Sequence, residues 1–449
     1  MRFKSLEMSA DELVFGYSKH PLRYGTGLEV GIGKVIPEIK YFPRADKDLK
    51  DEYIKITEDV LKRALDLGIM DLQLETELTY IETTQPKLAG EIINKQREII
   101  EKYSKEHDLR IGFRVTVADI RDFAKPKNDE ESLNKMLETF EEVSKNGADV
   151  LSIESLGGKE LFNYAVIRQD LVGITASLGY LAILDMKKIW KEIVSIARTN
   201  NVIPGGDTAC GFANTAMKLA GGFKDRVIPH TLAAIIRAMS ASRSLVAYEM
   251  GAIGPGKDCG YENIIIKSIT GYPISMEGKS SASAHSSLLG NISQAAADLW
   301  SNEQIENVKL FGGYGPQVFL EILYYDTKLL NKAIELGWQK ELRDLLVESD
   351  IYSDPQAYVL APKVAQEIAY ELVSHEDELE RTMAAGLKAL NLIAKEDKLK
   401  LSPSETRILE MIRKSLENLL DNAHKKIEEA LVSYEDRVEK LKVKDYLEV

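Results

Sequence analysis

Residues 201–220, NVIPGGDTACGFANTAMKLA, combine the end of a strand, a tight turn and the start of a helix. A β-branched pair precedes a proline and two glycines, which are typical of a strand end. Apolar residues at helical spacing begin near Ala213. Asp207 and Cys210 lie in the turn between the two elements. Such a unit is typical of a fold in which strands and helices alternate and reactive side chains follow the strands.

The same alternation continues on both sides of this stretch. Short apolar runs predict strands over Asp71–Glu75, Arg110–Ala118, Asp149–Ile153 and Ser244–Met250, and the run Leu171–Leu184 has room for another. Apolar residues spaced three and four apart predict helices over Glu52–Leu67, Lys87–His107, Glu130–Asn146, Glu160–Arg168, Met186–Thr199 and Pro229–Ala241. Repeated alternation with short connections implies parallel strands covered by helices.

The length of the alternating region predicts the architecture. Residues 51–320 supply the roughly 250 residues that a TIM (β/α)8 barrel needs, so an α/β barrel is predicted there. Residues 1–50 are rich in glycine, proline and aromatic residues and are interpreted as an extended N-terminal arm. Residues 321–449 are interpreted as a helical C-terminal region packed on the barrel. Helices are predicted there over Val318–Leu336, Gln339–Glu348, Lys363–Lys395 and Pro403–Lys442, with Ser402 and Glu405 forming a capping box at the last start.

The composition excludes several classes of partner. The chain has 71 acidic and 58 basic residues among 449, which gives a net charge of −13. This balance argues against binding nucleic acid or an anionic membrane through a basic patch. A membrane helix requires a run of about 18 apolar residues, and the sequence contains no such run. The N-terminal residues lack the pattern of a signal peptide. The expected location is therefore the cytoplasm.

The two cysteines of the chain have similar neighbours. Cys210 lies in DTACGF and Cys259 in KDCGY, so each follows an acidic residue and precedes glycine and an aromatic residue. Two thiolates at the same end of two strands suit a zinc ion. A free cysteine also packs well in a core as a small hydrophobe, and the cysteine count alone leaves that alternative open.

Acidic residues at strand ends supply candidates for a third ligand. Chemistry in a barrel gathers at the carboxyl ends of the strands. The acids at these positions are Glu75, Glu77, Asp119, Glu154, Asp207, Glu249 and Asp258. Glu154 directly follows a predicted strand and precedes another glycine-rich loop, which makes it a natural third ligand. Spacing alone does not select it over the other acids.

Three segments carry a resemblance to a known family. They are VLSIESLGGKE (150–160), GGDTACGFANTAMKLA (205–220) and GPGKDCGYENIIIKSITGYPISMEGKSSASAHSS (254–287). They resemble the signature blocks of the zinc-dependent methanol:corrinoid methyltransferases, which serve methanogenesis and other anaerobic growth on methanol. The resemblance implies a TIM barrel with a helical C-terminal region and one Zn²⁺ bound by Glu154, Cys210 and Cys259.

The resemblance also implies the reaction. The methyl group of methanol passes to the cob(I)amide of a separate corrinoid protein, and a zinc ion with three protein ligands leaves a position open for polarising the alcohol. A general acid would help hydroxide to leave, and Asp207, Asp258 and Glu249 are the candidates, each with hydrogen bonding to a ligand as its alternative role. His230 and His285 lie near the same blocks and have either a site role or a structural one.

Two other functions remain open at this point. The same scaffold could act on another methyl donor, such as a methoxylated compound, or could bind a corrinoid protein without catalysis. A homodimer, or a heterotetramer with the corrinoid subunit, is the expected assembly.

Overall fold

The architecture was determined from a computed structural model. It describes residues 3, 13–15, 22–24, 35–41, 48–121, 130–221, 227–257, 261–279, 288–301, 309–310, 313–439 and 441–447. The strands are β1 Leu13–Phe15, β2 Leu22–Tyr24, β3 Ile36–Tyr41, β4 Asp71–Glu77, β5 Arg110–Val117, β6 Val150–Ile153, β7 Ile203–Gly206, β8 Ser275–Glu277, β9 Leu299–Ser301, β10 Lys309–Leu310 and β11 Gly313–Tyr314.

Helices follow most of these strands. The helices are α1 Leu49–Leu67, α2 Tyr80–Thr83, α3 Pro86–His107, α4 Glu130–Lys145, α5 Lys159–Ile167, α6 Leu171–Ala176, α7 Ala182–Thr199, α8 Thr215–Gly221, α9 His230–Met250, α10 Asn263–Thr270, α11 Gly290–Ala296, α12 Gly315–Leu336, α13 Gln339–Asp350, α14 Pro355–Leu360, α15 Pro362–Val373, α16 Glu378–Lys395, α17 Pro403–Leu420, α18 Ala423–Glu435 and α19 Lys444–Leu447. Ser177–Leu181 and Cys210–Asn214 are π-helical turns, and Asp397–Leu399 is a 3₁₀ turn.

Seven strands form one parallel sheet in the order β7-β6-β5-β4-β3-β9-β8. The predicted α/β class is thereby confirmed. Strand β3 comes from the segment predicted as an N-terminal arm, and it pairs with both β4 and β9. Strand β3 is short and follows glycine-rich sequence, which did not predict a position inside the sheet. That position depends on pairing with strands that are distant in sequence.

Residues 253–256 form backbone contacts at both edges of this sheet, beside β7 and beside β8. The Ile253 and Gly254 amides donate to the carbonyls of Pro204 and Gly205 in β7, at 3.0 and 2.8 Å. On the other side, Gly256 forms a parallel bridge with Ile274, next to the start of β8. Residues 253–256 therefore lie between β7 and β8 and run parallel to both.

Charged side chains are buried in contact with the strands of the sheet. Arg114 of β5 is fully buried, with its Nε 3.1 Å from Glu38 Oε1 of β3. It also donates to the Gly256 carbonyl at 3.0 Å and to the Ser275 hydroxyl at 2.9 Å. Burial raises the pKa of Glu38, and the neighbouring guanidinium opposes this shift. The guanidinium thus joins β3, β8 and the segment 253–256 to β5 through charge-assisted contacts.

Two predicted strands are wrong. Ser244–Met250 forms the end of helix α9, and Leu171–Leu184 forms α6, a π-helical turn and the start of α7. Helix α9 is buried from His230 to Tyr248, so its sequence has no polar face. An apolar run without periodicity does not distinguish a strand from a buried helix.

The C-terminal region is helical, as predicted, but two of its helices are shorter. The predicted helix Lys363–Lys395 is divided into α15 and α16, and Pro403–Lys442 into α17 and α18. Ser402 caps α17 by accepting from the Glu405 amide at 3.3 Å. The Glu405 carboxylate instead accepts from the amides of His230 and Thr231, at 3.0 and 2.9 Å. It caps the amino end of α9, where a negative charge is favourable.

The cap formed by Glu405 can be tested by mutation. Glu405→Ala removes a buried acceptor from the first turn of α9, and we expect the free energy of unfolding to fall by about 2 kcal/mol. Glu410→Ala is the matched control, because Glu410 is exposed on the same helix. Urea unfolding followed by circular dichroism measures both variants. Equal midpoints for the two variants would contradict the assignment of Glu405 as a cap.

Candidate active site at the carboxyl ends of the strands

A buried lysine contacts acids at the carboxyl ends of two strands, β4 and β6. The Lys257 ammonium lies 2.8 Å from Glu75, 3.5 Å from Glu77 and 3.3 Å from Glu154. Lys257 is fully buried, whereas the Glu154 side chain is 26% exposed. Buried carboxylates need such a cation, because an uncompensated charge in a low-dielectric interior is costly. The sequence analysis missed Lys257, although its position two residues before Cys259 in a glycine-rich loop was a usable signal.

Cys210 begins the π-helical turn after β7. Its side chain is partly exposed, and the Asn214 amide nitrogen lies 3.8 Å from the thiol sulfur. π-Helical turns of this kind are frequent at functional sites because they re-aim a side chain out of the helical path. Cys210 is thus partly exposed at the start of such a turn.

Lys159 connects the loop after β6 to the turn that contains Cys210. Its ammonium donates to the Gly211 carbonyl and, at 2.6 Å, to the Thr215 hydroxyl. The same ammonium lies 5.2 and 5.6 Å from the ring centroids of Phe162 and Phe212. Burial lowers the pKa of Lys159 to about 8, and the nearby Cys210 opposes the shift. These contacts link the two loops directly.

Asp207 lies beneath these loops and is fully buried. Its carboxylate accepts from the Ser155 amide at 3.2 Å, from the Ser155 hydroxyl at 2.6 Å and from the Trp190 indole at 3.0 Å. The Arg243 guanidinium lies 3.4 Å away. Burial raises the pKa of Asp207, and Arg243 and the hydrogen bonds lower it. Asp207 thus holds Ser155, the residue directly after Glu154.

Asp119, in the loop after β5, has a role comparable to that of Asp207. Its carboxylate accepts from the Leu156 amide at 2.9 Å and pairs with Arg121 at 2.6 Å. Arg121 also pairs with Asp185 of α7. Five of the acids that the sequence analysis placed at strand ends fall into two groups. Glu75, Glu77 and Glu154 surround Lys257, whereas Asp119 and Asp207 hold the backbone after Glu154.

Glu262 connects a third loop to the Cys210 loop and to helix α9. It is fully buried, and its carboxylate accepts from the Ala209 amide at 2.8 Å and from the Ser244 hydroxyl at 2.5 Å. Ala209 directly precedes Cys210, and Glu262 comes three residues after Cys259. Neighbouring Tyr261 donates to Glu277 of β8 at 2.8 Å. Burial raises the pKa of Tyr261 well above its usual value, with the charges of Glu277 and Cys210 adding to the effect.

Two candidate residues lie away from this arrangement. Glu249 ends α9 rather than a strand, and its carboxylate pairs with Arg381 at 2.9 and 3.2 Å. Residues 253–256 begin beside the start of β7, and Glu249 comes four residues before them. Glu249 therefore lies toward the amino ends of the strands. Its predicted place at the carboxyl end of a strand is wrong. His230 is buried at the other end of α9, with its Nδ1 2.9 Å from the Gln356 amide nitrogen. Its position agrees with a structural role.

Three further candidates, Asp258, Cys259 and His285, lie outside the described residues. Within the part of the chain that is described, His, Cys, Asp and Glu side chains form no group of three arranged to hold a metal ion. One of the three predicted ligands, Cys259, is not in that part. None of the helices described is long and apolar enough to cross a membrane.

A parallel α/β sheet with a thiol, acids and two lysines near its carboxyl edge is typical of enzymes whose active site lies at the strand ends. A sequence model of the methanol-cobalamin methyltransferase B subunit (MtaB) matches residues 1–447. A methanol–corrinoid protein co-methyltransferase of Methanosarcina barkeri (strain Fusaro / DSM 804) is 43% identical over 98% of this chain and 97% of its own. The chain belongs to the methanol-cobalamin methyltransferase B subunit family.

A solved structure agrees with this assignment. The crystal structure of the methanol:cobalamin methyltransferase complex MtaBC from Methanosarcina barkeri contains a chain with a TM-score of 0.89 and 42% identity, covering 99% of both chains. The protein is therefore a methanol:corrinoid methyltransferase. Of the three functions that the sequence analysis left open, the family assignment supports the first.

A mutation of Asp207 tests whether this residue positions the loop after Glu154 or donates a proton to the leaving group. Asp207→Asn places an amide NH₂ among hydrogen-bond donors, so the loop after Glu154 shifts, and we expect methyl transfer to fall by about tenfold to a hundredfold. The pH profile of the remaining activity should keep its shape, because Asp207 holds the loop without exchanging a proton with substrate. Loss of one limb of that profile in the variant would contradict this role.

Proposed function

We propose that Glu154, Cys210 and Cys259 bind one zinc ion at the carboxyl ends of the strands, and that methanol gives up its methyl group there. The observation that supports this most strongly is the position of the chain on either side of Cys259. Lys257 contacts Glu154 at 3.3 Å, and Glu262 contacts the amide next to Cys210 at 2.8 Å. The segment that contains Cys259 therefore begins beside one proposed ligand and ends beside another.

Chain geometry limits how far Cys259 can lie from both. A residue spans at most about 3.6 Å of extended chain, so the Cys259 Cα lies within about 7 Å of that of Lys257 and within about 11 Å of that of Glu262. The ends of the Lys257 and Glu262 side chains meet the Glu154 and Cys210 loops. These limits on the chain support the proposal that Cys259 shares one site with Cys210 and Glu154.

The donor set fits zinc. Two thiolates and one carboxylate are ligands that zinc takes in protein sites, and three protein ligands leave a fourth position open for chemistry. Cys210 and Glu154 are both partly exposed, unlike the fully buried Asp207 and Glu75. This exposure supports the proposal, because a metal ion and a substrate need access from solvent.

The reaction requires that a poor leaving group depart. Zinc, when bound, supplies a Lewis acid that polarises an alcohol oxygen. The electron pair of the cob(I)amide forms the cobalt–carbon bond, the C–O bond breaks, and the leaving hydroxide takes a proton to become water. Lys257 holds the Glu154 carboxylate in place. Lys257, Glu75 and Asp207 are fully buried, so the reactants have to approach from the exposed side of Glu154 and Cys210.

We propose that the strands close into an eight-stranded barrel. Residues 253–256 would be the eighth strand, because they bond to β7 on one side and bridge to the β8 side on the other. The order then returns through β9 to β3 and β4. Interior side chains such as Arg114 and Glu38 fill the middle of such a barrel, as expected for eight strands. The active site then lies at the open carboxyl end.

We propose that a separate corrinoid protein docks on this end. A corrinoid ring is large, and its cobalt must approach the methyl carbon opposite the departing oxygen, so the partner has to enter from the exposed side of Glu154 and Cys210. A similar protein is part of the methanol:cobalamin methyltransferase complex MtaBC of Methanosarcina barkeri, which supports such a partner. A homodimer or heterotetramer stays a prediction, as do the cytoplasmic location and Asp258 as proton donor.

Neighbouring glutamates provide a matched test of the ligand set. Glu154→Gln should reduce bound zinc from about one ion per chain to a small fraction, because the amide is a far weaker ligand than the carboxylate. Glu77→Gln should keep the zinc, although Glu77 also contacts Lys257. Metal analysis after anaerobic, chelator-free purification measures both. Equal zinc in the two variants would remove Glu154 from the ligand set.

The cysteines are tested in the same way. Cys210→Ala and Cys259→Ala should each lose tight zinc binding and methanol-dependent methylation of a cob(I)amide, while circular dichroism shows unchanged helix content. The fold should persist because the buried network beneath the site contains neither cysteine. Full zinc and full activity in either variant would show that the proposed ligand set is wrong.

A further inference from the structure

The last helix of the chain reaches the loop that follows Glu154. Tyr446 of α19 is 5% exposed, and its hydroxyl accepts from the Gly158 amide at 2.9 Å and donates to Glu160 at 2.7 Å. These two residues flank Lys159. One phenol from the C-terminal end of the chain thus holds the backbone on one side of Lys159 and the side chain on the other.

Lys159 is the connection between the Glu154 loop and the Cys210 turn. Its ammonium bonds to the carbonyl of Gly211, the residue directly after Cys210, and to the Thr215 hydroxyl. The direction of the Lys159 side chain depends on the turn that precedes it. A shift of this turn would be passed to both loops, because the ammonium and the Glu154 backbone belong to the same segment.

The turn before Lys159 contains two adjacent glycines and has little stiffness of its own. A Cβ at Gly157 would lie 2.2 Å from the Asp185 carboxylate, so this position packs directly against α7. Gly158 has φ +82°, which disfavours other residues. The Gly158 carbonyl accepts from the Ser177 hydroxyl at 2.8 Å. Its amide is held by Tyr446, so side-chain bonds from two helices fix a flexible turn.

We propose that Tyr446 is a positioning residue for the metal site, acting through Lys159 on the separation of Glu154 and Cys210. The proposal rests on the zinc site proposed above. The C-terminal helix therefore contributes to metal affinity although it contains none of the proposed ligands. This gives the end of the helical C-terminal region a role in the site in addition to packing.

Two variants and one control test this role. Tyr446→Phe removes both hydrogen bonds of the hydroxyl, and Lys159→Gln breaks the connection between the loops without touching α19. Tyr434→Phe is the matched control, because Tyr434 is equally buried in the C-terminal region and bonds to Asp170, which caps α6. Competition with a chelating dye measures the zinc dissociation constant of each protein, and thermal unfolding measures its stability.

We expect zinc to bind about tenfold more weakly in Tyr446→Phe and in Lys159→Gln, and unchanged in Tyr434→Phe. The double variant Tyr446→Phe/Lys159→Gln should be no weaker than the worse single variant, because both changes act on one connection. The visible spectrum of the cobalt(II)-substituted protein should change in the two single variants and not in the control, since it reports ligand geometry.

The results distinguish failure of the proposed zinc site from failure of the positioning role of Tyr446. Wild-type protein that binds no zinc would overturn the proposed metal site itself. Wild-type protein with tight zinc, together with a Tyr446→Phe variant of equal affinity and unchanged cobalt spectrum, would overturn the positioning role alone. If Tyr446→Phe does not fold, Lys159→Gln decides the question, and an affinity equal to wild type would contradict the connection.

Discussion

Charges buried at the carboxyl ends of the strands have to be paired, and in this protein the pairs also fix the loops of the site. Lys257 joins the third loop to Glu154, Glu262 joins it to the amide before Cys210, and Lys159 joins the first two loops to each other. Removing one partner would leave an uncompensated charge or a buried unsatisfied group, which costs several kcal/mol. The arrangement therefore resists the loop movements that would separate the proposed ligands, as preorganisation of a metal site requires.

The helix α9 carries this constraint into the rest of the molecule. Arg243 of α9 donates to the Thr208 carbonyl at 2.8 Å and contacts Ser155, so it holds the loops after β6 and β7 together. The same helix is capped by Glu405 of α17 and pairs through Glu249 with Arg381 of α16. The helical C-terminal region thus supports the loops of the site through α9. Glu249, one of the three acids that the sequence analysis considered as proton donors, takes part in this support by pairing with Arg381.

Sequence reasoning predicted the alternating strands and helices better than the side-chain contacts that connect them. Periodicity found β4, β5, β6 and most helices, and the matched cysteine contexts together with the family resemblance singled out Glu154 and Cys210. Helix α9 was misjudged because it is buried on all sides and has no polar face. Lys257 and Glu262 were missed because a charged residue in a loop sequence is usually solvated, and only the folded chain shows which one is buried. The roles of Asp119 and Asp207 likewise depend on which amides the fold brings to them.

X-ray absorption at the zinc edge tests the central claim most directly. The spectrum of anaerobically purified protein should require two sulfur ligands at about 2.3 Å and lighter oxygen ligands at about 2.0–2.2 Å. Cys210 and Cys259 are the only cysteines of the chain, so two sulfurs would assign both. A first shell of one sulfur or none, or scattering typical of histidine rings, would contradict the convergence of the three loops on one zinc ion.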